Sequence, residues 1–453
     1  MDALTTFALI AAIIIIGYFS ELLFKRTGVP DVLILIAIGV VLRYFFEAVH
    51  PENFGGGASL FATFALIYLL FQGALAIDFK TLFQSVKEAS KLTILSFLFT
   101  VLITSGLAMI LFGFSIKLAL LFGMIVGGTS SAVVIPLVRM LPINKKHGSA
   151  LMLESAISDV LCIVGSMTMI NIILSGEVSG AEVFKNILSS FSLAIIVGGI
   201  IGLLWVFTLF KFKNLRRAHL VTIAVVIALY AFVESPFIEA SGAIAALSFG
   251  LVLGNSKTII ALNKKVNKED HSEIIDVLSK TAQSFFTEIS FFVKVFFFVY
   301  LGVLMDFTNP IMFALAAVFV FSMYMIRPLV VQMTHKKGEL DTFSRTNLEI
   351  LIPKGLAAAV LVNITIQEGV PGAEVMVGPI LAIILLSIIL TSILVPLARK
   401  GYFKGFTYIF YKPKNDARSI QEKSIEKNKE EDNEIKEKND FFKEPTEIRP
   451  PEE

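Results

Sequence analysis

The octapeptide LESAISDV (153–160) sets Ser155, Ser158 and Asp159 at i, i+3 and i+4, which puts them on one face of a helix. Upstream, Gly127-Gly128-Thr129-Ser130-Ser131 places three more hydroxyls beside two glycines that weaken a helix and free backbone carbonyls. Carboxylate, hydroxyl and carbonyl oxygens are hard ligands of the kind a dehydrated Na⁺ or K⁺ needs. Asp159, Ser155, Ser158 and Thr129, with Ser130 beside them and carbonyls of the break, form the candidate cage. The same carboxylate also binds a proton. Cation and proton then compete for one set of oxygens, either passenger neutralises the site, and the bare anion is costly to carry past an apolar barrier. That chemistry is exchange of one ion for another, with no covalent step.

Asp159 lies within an apolar run long enough to cross a bilayer, and most of the chain is built the same way. Of 453 residues, 55% are hydrophobic, and apolar runs recur from residue 5 to residue 398. This is the signature of an all-α polytopic membrane protein. Charges and Gly/Pro breaks predict thirteen spans: 4–24, 31–46, 58–77, 92–113, 117–140, 148–174, 189–210, 218–235, 238–255, 284–305, 310–334, 346–366 and 375–398. Alternate connections hold 20 Lys/Arg against three, Arg43, Lys117 and Lys185, in the rest. By the positive-inside rule the rich set is cytoplasmic, which puts the N-terminus outside and the C-terminus inside. The start, MDALTTFALIAAIIII, lacks the basic n-region of a cleavable signal and reads as a first span. Residues 256–283 are expected to hold an interfacial helix, and 411–453 to be a disordered charged cytoplasmic tail after a membrane domain of 1–410.

Five charges fall well inside these spans: Glu154, Asp159, Lys294, Arg327 and Lys354. Each costs about 2.5–3.5 kcal/mol at mid-helix on insertion scales, so the set requires pairing, hydration or helix dipoles. Glu288 and Glu349 lie nearer cytoplasmic ends and are expected to reach water. A serine in a membrane helix also serves close packing or bonds the carbonyl of the preceding turn, an alternative use for Ser155 and Ser158. For Asp159, beside a helix break, an ion or proton pathway is the stronger reading.

An internal repeat organises these groups. FQGALAIDF (71–79) parallels YLGVLMDF (300–307) with one gap, an offset of seven segments. An odd offset turns the second copy upside down in the membrane. It also makes segment five, with its Gly-Gly break, equivalent to segment twelve, which holds Pro353-Lys354-Gly355. Paired interruptions at equivalent places of two inverted halves point to a binding site near the midplane.

At these residues the chain resembles the monovalent cation:proton antiporter superfamily, over about residues 1–400. FQGALAIDF is similar to its third-helix pattern, GGTSSAVVIPLV to its crossed, unwound fifth helix and LESAISDV to its sixth. SGAIAALSFGLVLGN, FFFVYLG, IRPLVV and IPKGLAAAVL extend the resemblance. The resemblance implies Asp159 as the transporting carboxylate with Thr129 and Ser155 at the ion, Glu154 paired with Arg327, and Lys354 at the crossed helices. It also implies a dimerisation part (helices 1–3 and 8–10), a core (helices 4–6 and 11–13) that moves as an elevator, and a homodimer. Three departures bear on stoichiometry, one of them Gln72 where some relatives have Glu. Ser158 stands where the family has Asn or Asp, so the paired-acid version tied to electrogenic exchange is absent, and Ser130 stands where many relatives have Asp. Charge counting then favours electroneutral exchange, although Lys294 lies near the helix-ten lysine of electrogenic relatives and could couple a second proton or serve as a counter-ion.

The expected function is therefore antiport of Na⁺, with Li⁺ as a further cargo, against H⁺, with a prokaryotic cell membrane as the expected location; K⁺/H⁺ antiport is the alternative. A cation channel or sensor on the same scaffold would leave Asp159 and the paired breaks without a use. An intramembrane aspartyl protease needs two aspartates and only Asp159 qualifies, while no His cluster or Gly-Lys-Ser/Thr loop suggests a metal or nucleotide enzyme. No cofactor and no nucleic-acid partner is expected.

Overall fold

The computed structural model describes residues 3–27, 30–45, 55–75, 77–175, 180–212, 217–267, 280–336 and 339–400. They form sixteen helices: α1 (Ala3–Thr27), α2 (Asp31–Phe45), α3 (Gly55–Leu75), α4 (Phe79–Phe112), α5 (Ile116–Val126), α6 (Ser131–Met140), α7 (Lys145–Ser175), α8 (Gly180–Lys211), α9 (Ala218–Val233), α10 (Gly242–Gly254), α11 (Ser256–Asn267), α12 (Lys280–Leu304), α13 (Pro310–Thr334), α14 (Thr342–Ile350), α15 (Leu356–Gln367) and α16 (Glu374–Arg399). Among the described residues eight spans are long and apolar enough to cross a membrane, one of them the broken α5–α6 run, and α3, α9, α10 and α15 are shorter apolar helices. Each predicted segment contains at least one helix among the described residues. Segments five and twelve are each two helices, α5–α6 and α14–α15, and the expected interfacial helix begins as α11. The tail 411–453 lies outside the described residues.

Local chemistry sets the ends. α5 starts at Ser115, whose hydroxyl accepts from the Leu118 N–H, and α13 starts at Asn309 with Pro310 in its first turn. α14 is capped by Asp341, which accepts from the Ser344 N–H. It stops short of Pro353, whose ring bars the preceding residue from helical backbone. α4 begins at Phe79 rather than near residue 92, because KTLFQSVKEASK contains no Gly or Pro and the helix continues through the charged stretch. α10 begins four residues later than segment nine, since Glu239 takes a left-handed backbone (φ 50°) ahead of the Ser241 cap.

Packing falls into two groups. α4 lies against α5, α7 and α13, α6 lies against α7, and α16 against α13, α14 and α15. Separately, α10 packs on α3, α8 and α9, and α12 on α2 and α3. α15 and α6 meet α3 across the boundary. The first group holds both helix breaks and Asp159.

Candidate ion site at the crossed helix breaks

The α5–α6 break (127–130) and the α14–α15 break (351–355) touch through backbone. The Ser130 N–H donates to the Pro353 carbonyl at 2.7 Å. A Cβ on Gly355 would stand 2.2 Å from the Ser130 hydroxyl oxygen, so the two breaks cross at a separation only glycine permits. Unwound backbone in an apolar interior needs partners for each freed group, and they are present. Gly128 N–H donates to Cys162 Sγ at 3.0 Å, Thr129 N–H to Ser158 Oγ at 3.0 Å, and Lys354 N–H to Ser387 Oγ at 2.9 Å. Lys354 Nζ donates to the Gly128 carbonyl at 2.8 Å and lies 3.4 Å from that of Gly127. A buried ammonium thus caps the C-terminal end of α5, where the helix dipole is negative.

Asp159 projects from α7 into this crossing and is 6% exposed. Its Oδ2 accepts from Ser131 Oγ at 2.7 Å. Ser131 opens α6, so the carboxylate faces the electropositive first turn of that helix. Ser131 belonged to the Gly-Gly-Thr-Ser-Ser stretch but not to the expected cage. Nothing in the sequence separates it from Ser130, because the difference is which of two neighbours the break turns toward α7.

The expected ligands divide. Thr129 Oγ1 and Ser158 Oγ are 3.1 Å apart, so Thr129 and Ser158 stand together on the α7 side of the break. Ser158 Oγ also donates to the Ser155 carbonyl (3.0 Å), and Ser155 Oγ donates to that of Met152 (2.9 Å). Ser155 is therefore turned along its own helix, the alternative use named for it. Ser130 is buried, and its hydroxyl has no hydrogen-bond partner among the described residues.

The other intramembrane charges are paired. Arg327 on α13 forms a two-pronged ion pair with Glu154, Nη1 to Oε1 and Nη2 to Oε2. Its remaining donors reach Ser96 Oγ on α4 (2.6 Å) and the Leu348 carbonyl on α14 (2.8 Å). At 1% exposure one guanidinium thus joins α4, α7, α13 and α14 around the site. Lys294 on α12 pairs with Asp31 at the start of α2, 2.5 Å away. Asp31 sits at the edge of its apolar run, where the sequence alone does not mark it as an intramembrane charge. Glu349 does not reach water as expected: it is buried and accepts from Arg345 Nε one turn earlier at 2.9 Å. Glu288 is exposed.

Comparison with known proteins gives the chain's family and fold. The family described as sodium/hydrogen exchanger, transmembrane, matches residues 9–400. A probable Na⁺/H⁺ antiporter 2 of Methanocaldococcus jannaschii is 31% identical over 293 residues, 61% of this chain and 64% of that protein. The K⁺/H⁺ antiporter NhaP2 of Shewanella oneidensis is 26% identical over 271 residues, 57% of this chain and 45% of that protein. The matches therefore span less than two thirds of either curated relative. The structure of the sodium proton antiporter MjNhaP1 from M. jannaschii at pH 8 superposes with a TM-score of 0.70 at 20% identity, covering 86% of this chain and all of that one. That likeness concerns the fold.

Proposed function

Because the chain belongs to the transmembrane sodium/hydrogen exchanger family, we propose that it is a secondary antiporter exchanging a monovalent cation, Na⁺ first, for H⁺ at Asp159. The observation that carries the reading is a single buried carboxylate at the crossing of two helix breaks, with hydroxyls of Ser131, Thr129 and Ser158 gathered at the same crossing. A site with one carboxylate is neutral with either passenger and charged when empty. Loaded forms cross from one access state to the other and the empty form does not, which couples the two fluxes. Ser130 and Ser155 serve the same cage, Ser130 through its unpaired hydroxyl and Ser155 through its carbonyl, which already orients Ser158.

Exchange is electroneutral in this reading. Lys294 is held by Asp31 in the other helix group and acts as a counter-ion, leaving Asp159 as the group that changes partner. Lys354 and the Arg327–Glu154 pair hold the crossing together. The thirteen segments span the bilayer with α5–α6 and α14–α15 each counted once. α4–α7 and α13–α16 form the core that moves, and α1–α3 and α9–α12 the scaffold of a homodimer, N-terminus outside and C-terminus in the cytoplasm. K⁺ is the second reading for the cargo, favoured by the names of the Shewanella relatives.

Everted vesicles with a pH-sensitive dye test both. Adding Na⁺, Li⁺ or K⁺ should dequench the dye for the transported ion, at a rate insensitive to a clamped membrane potential, and Asp159→Asn should abolish the signal while the protein still inserts. Undiminished exchange in Asp159→Asn would remove the proposal, and cation current without proton movement would make the protein a channel.

A further inference from the structure

The repeated stretches 71–79 and 300–307 end in the connections α3–α4 and α12–α13. With Asp78 set against Asp306, Ile77 falls on Met305 and Phe79 on Phe307. In both connections these same two residues offer a carbonyl and an N–H to side chains at the end of a neighbouring helix. In the first, Asn255 at the C-terminus of α10 serves both: Nδ2 donates to the Ile77 carbonyl at 2.8 Å and Oδ1 accepts from the Phe79 N–H at 2.6 Å. In the second, the last residues of α2 divide the task. Arg43 Nη1 donates to the Met305 carbonyl at 2.8 Å and to that of Val303 at 3.1 Å, while the Tyr44 hydroxyl accepts from the Phe307 N–H at 3.0 Å. α2 and α10 are segments two and nine, so the repeat makes them equivalent as well. Different side chains have thus met the same two backbone needs at equivalent points of two inverted halves.

The location gives the bonds a mechanical meaning. Each connection is a place where a helix of the α10/α12 group hands over to one of the α4/α13 group. The anchoring helix is pressed onto the helix that enters the connection. A Cβ on Gly254 would stand 2.4 Å from the Leu75 carbonyl oxygen, and one on Gly39 would stand 2.0 Å from that of Val299. α10 with α3, and α2 with α12, are therefore single bodies, and the anchors fasten the first residues beyond them. We propose that Asn255 and the Arg43–Tyr44 pair are matched anchors fixing the two pivots, one on each side of the membrane, on which the ion-carrying core moves against the scaffold. They are positioning residues, remote from the ion, and the inference rests on the moving core proposed above.

The test is initial-rate exchange by the purified full chain in proteoliposomes over a range of Na⁺ (or K⁺, if that is the cargo), with wild type and Asp159→Asn alongside and thermal melting to confirm folding. Asn255→Ala and the double variant Arg43→Leu/Tyr44→Phe should each lower the maximal rate about tenfold, with half-saturating cation within about twofold of wild type. Arg43→Lys, which keeps a donor for the two carbonyls, should retain more than about half the wild-type rate. Wild-type rates in both anchor variants, or an unchanged maximal rate with raised half-saturation, overturns the proposal. Should Asn255→Ala not fold, Tyr44→Phe alone carries the test: a rate lowered about threefold at constant half-saturation supports the anchors, and a wild-type rate overturns them. An inactive wild type would instead sink the antiport reading, and the anchors with it.

Discussion

At the scale of the residue, the proposed exchange is a contest for the oxygens of Asp159, and its neighbours decide the terms. Ser131 supplies the one side-chain hydrogen bond to that carboxylate described in the structure, so it both fixes the carboxylate rotamer and brings a second oxygen within reach of a cation there. Ser131→Ala should raise half-saturating Na⁺ about five- to tenfold, the equivalent of about 1–1.5 kcal/mol, with a smaller change in maximal rate, measured in proteoliposomes. Glu154 has the opposite profile. It is buried against Arg327, and removing one partner of such a pair leaves an uncompensated charge worth about 3–5 kcal/mol. Glu154→Gln should therefore depress folded yield and melting temperature, and Glu154→Gln with Arg327→Gln should recover part of the loss. That pair was legible from the sequence through family resemblance. Ser131 and Asp31 were not, since neither a hydroxyl's direction nor a partner 263 positions away is a property of local sequence.

At the scale of the element, the breaks rather than the helices make the candidate site. Gly-Gly at the end of α5 and Pro353 after α14 stop each helix at mid-segment, and both signals stand in the sequence. The contact between the two breaks does not. Gly355 is needed because Ser130 occupies the space a side chain would take, not because of its backbone angles. Gly355→Ala should push the breaks apart, lowering melting temperature and exchange rate together. Adding Ser130→Gly, which removes the obstructing side chain, should restore much of the melting temperature. Equal loss with and without Ser130→Gly would show that the crossing is not what Gly355 protects.

At the scale of the whole molecule, charge asymmetry between alternate connections predicts an orientation, and two labelled sites can check it. Phe237, in the α9–α10 connection, is 95% exposed, and Cys162 is the only cysteine and is buried. In a Cys162→Ala background, Phe237→Cys should react in intact cells with a membrane-impermeant maleimide, whereas Lys257→Cys, one connection later, should react only after lysis. The reverse pattern would invert the molecule in the membrane.

The sequence by itself determined that the chain is helical and apolar enough to cross a bilayer many times, where its helices break, and which charges must be neutralised. Each follows from composition, periodicity or the cost of a charge in hydrocarbon, quantities that are sums over neighbouring residues. Only the tertiary structure decided who neutralises whom: Asp31 for Lys294, the α5 carbonyls for Lys354, Ser131 for Asp159, and Asn255 or Arg43 for the connections. Those choices depend on distances between segments far apart in the chain, which packing sets to a fraction of an ångström and which no local pattern encodes.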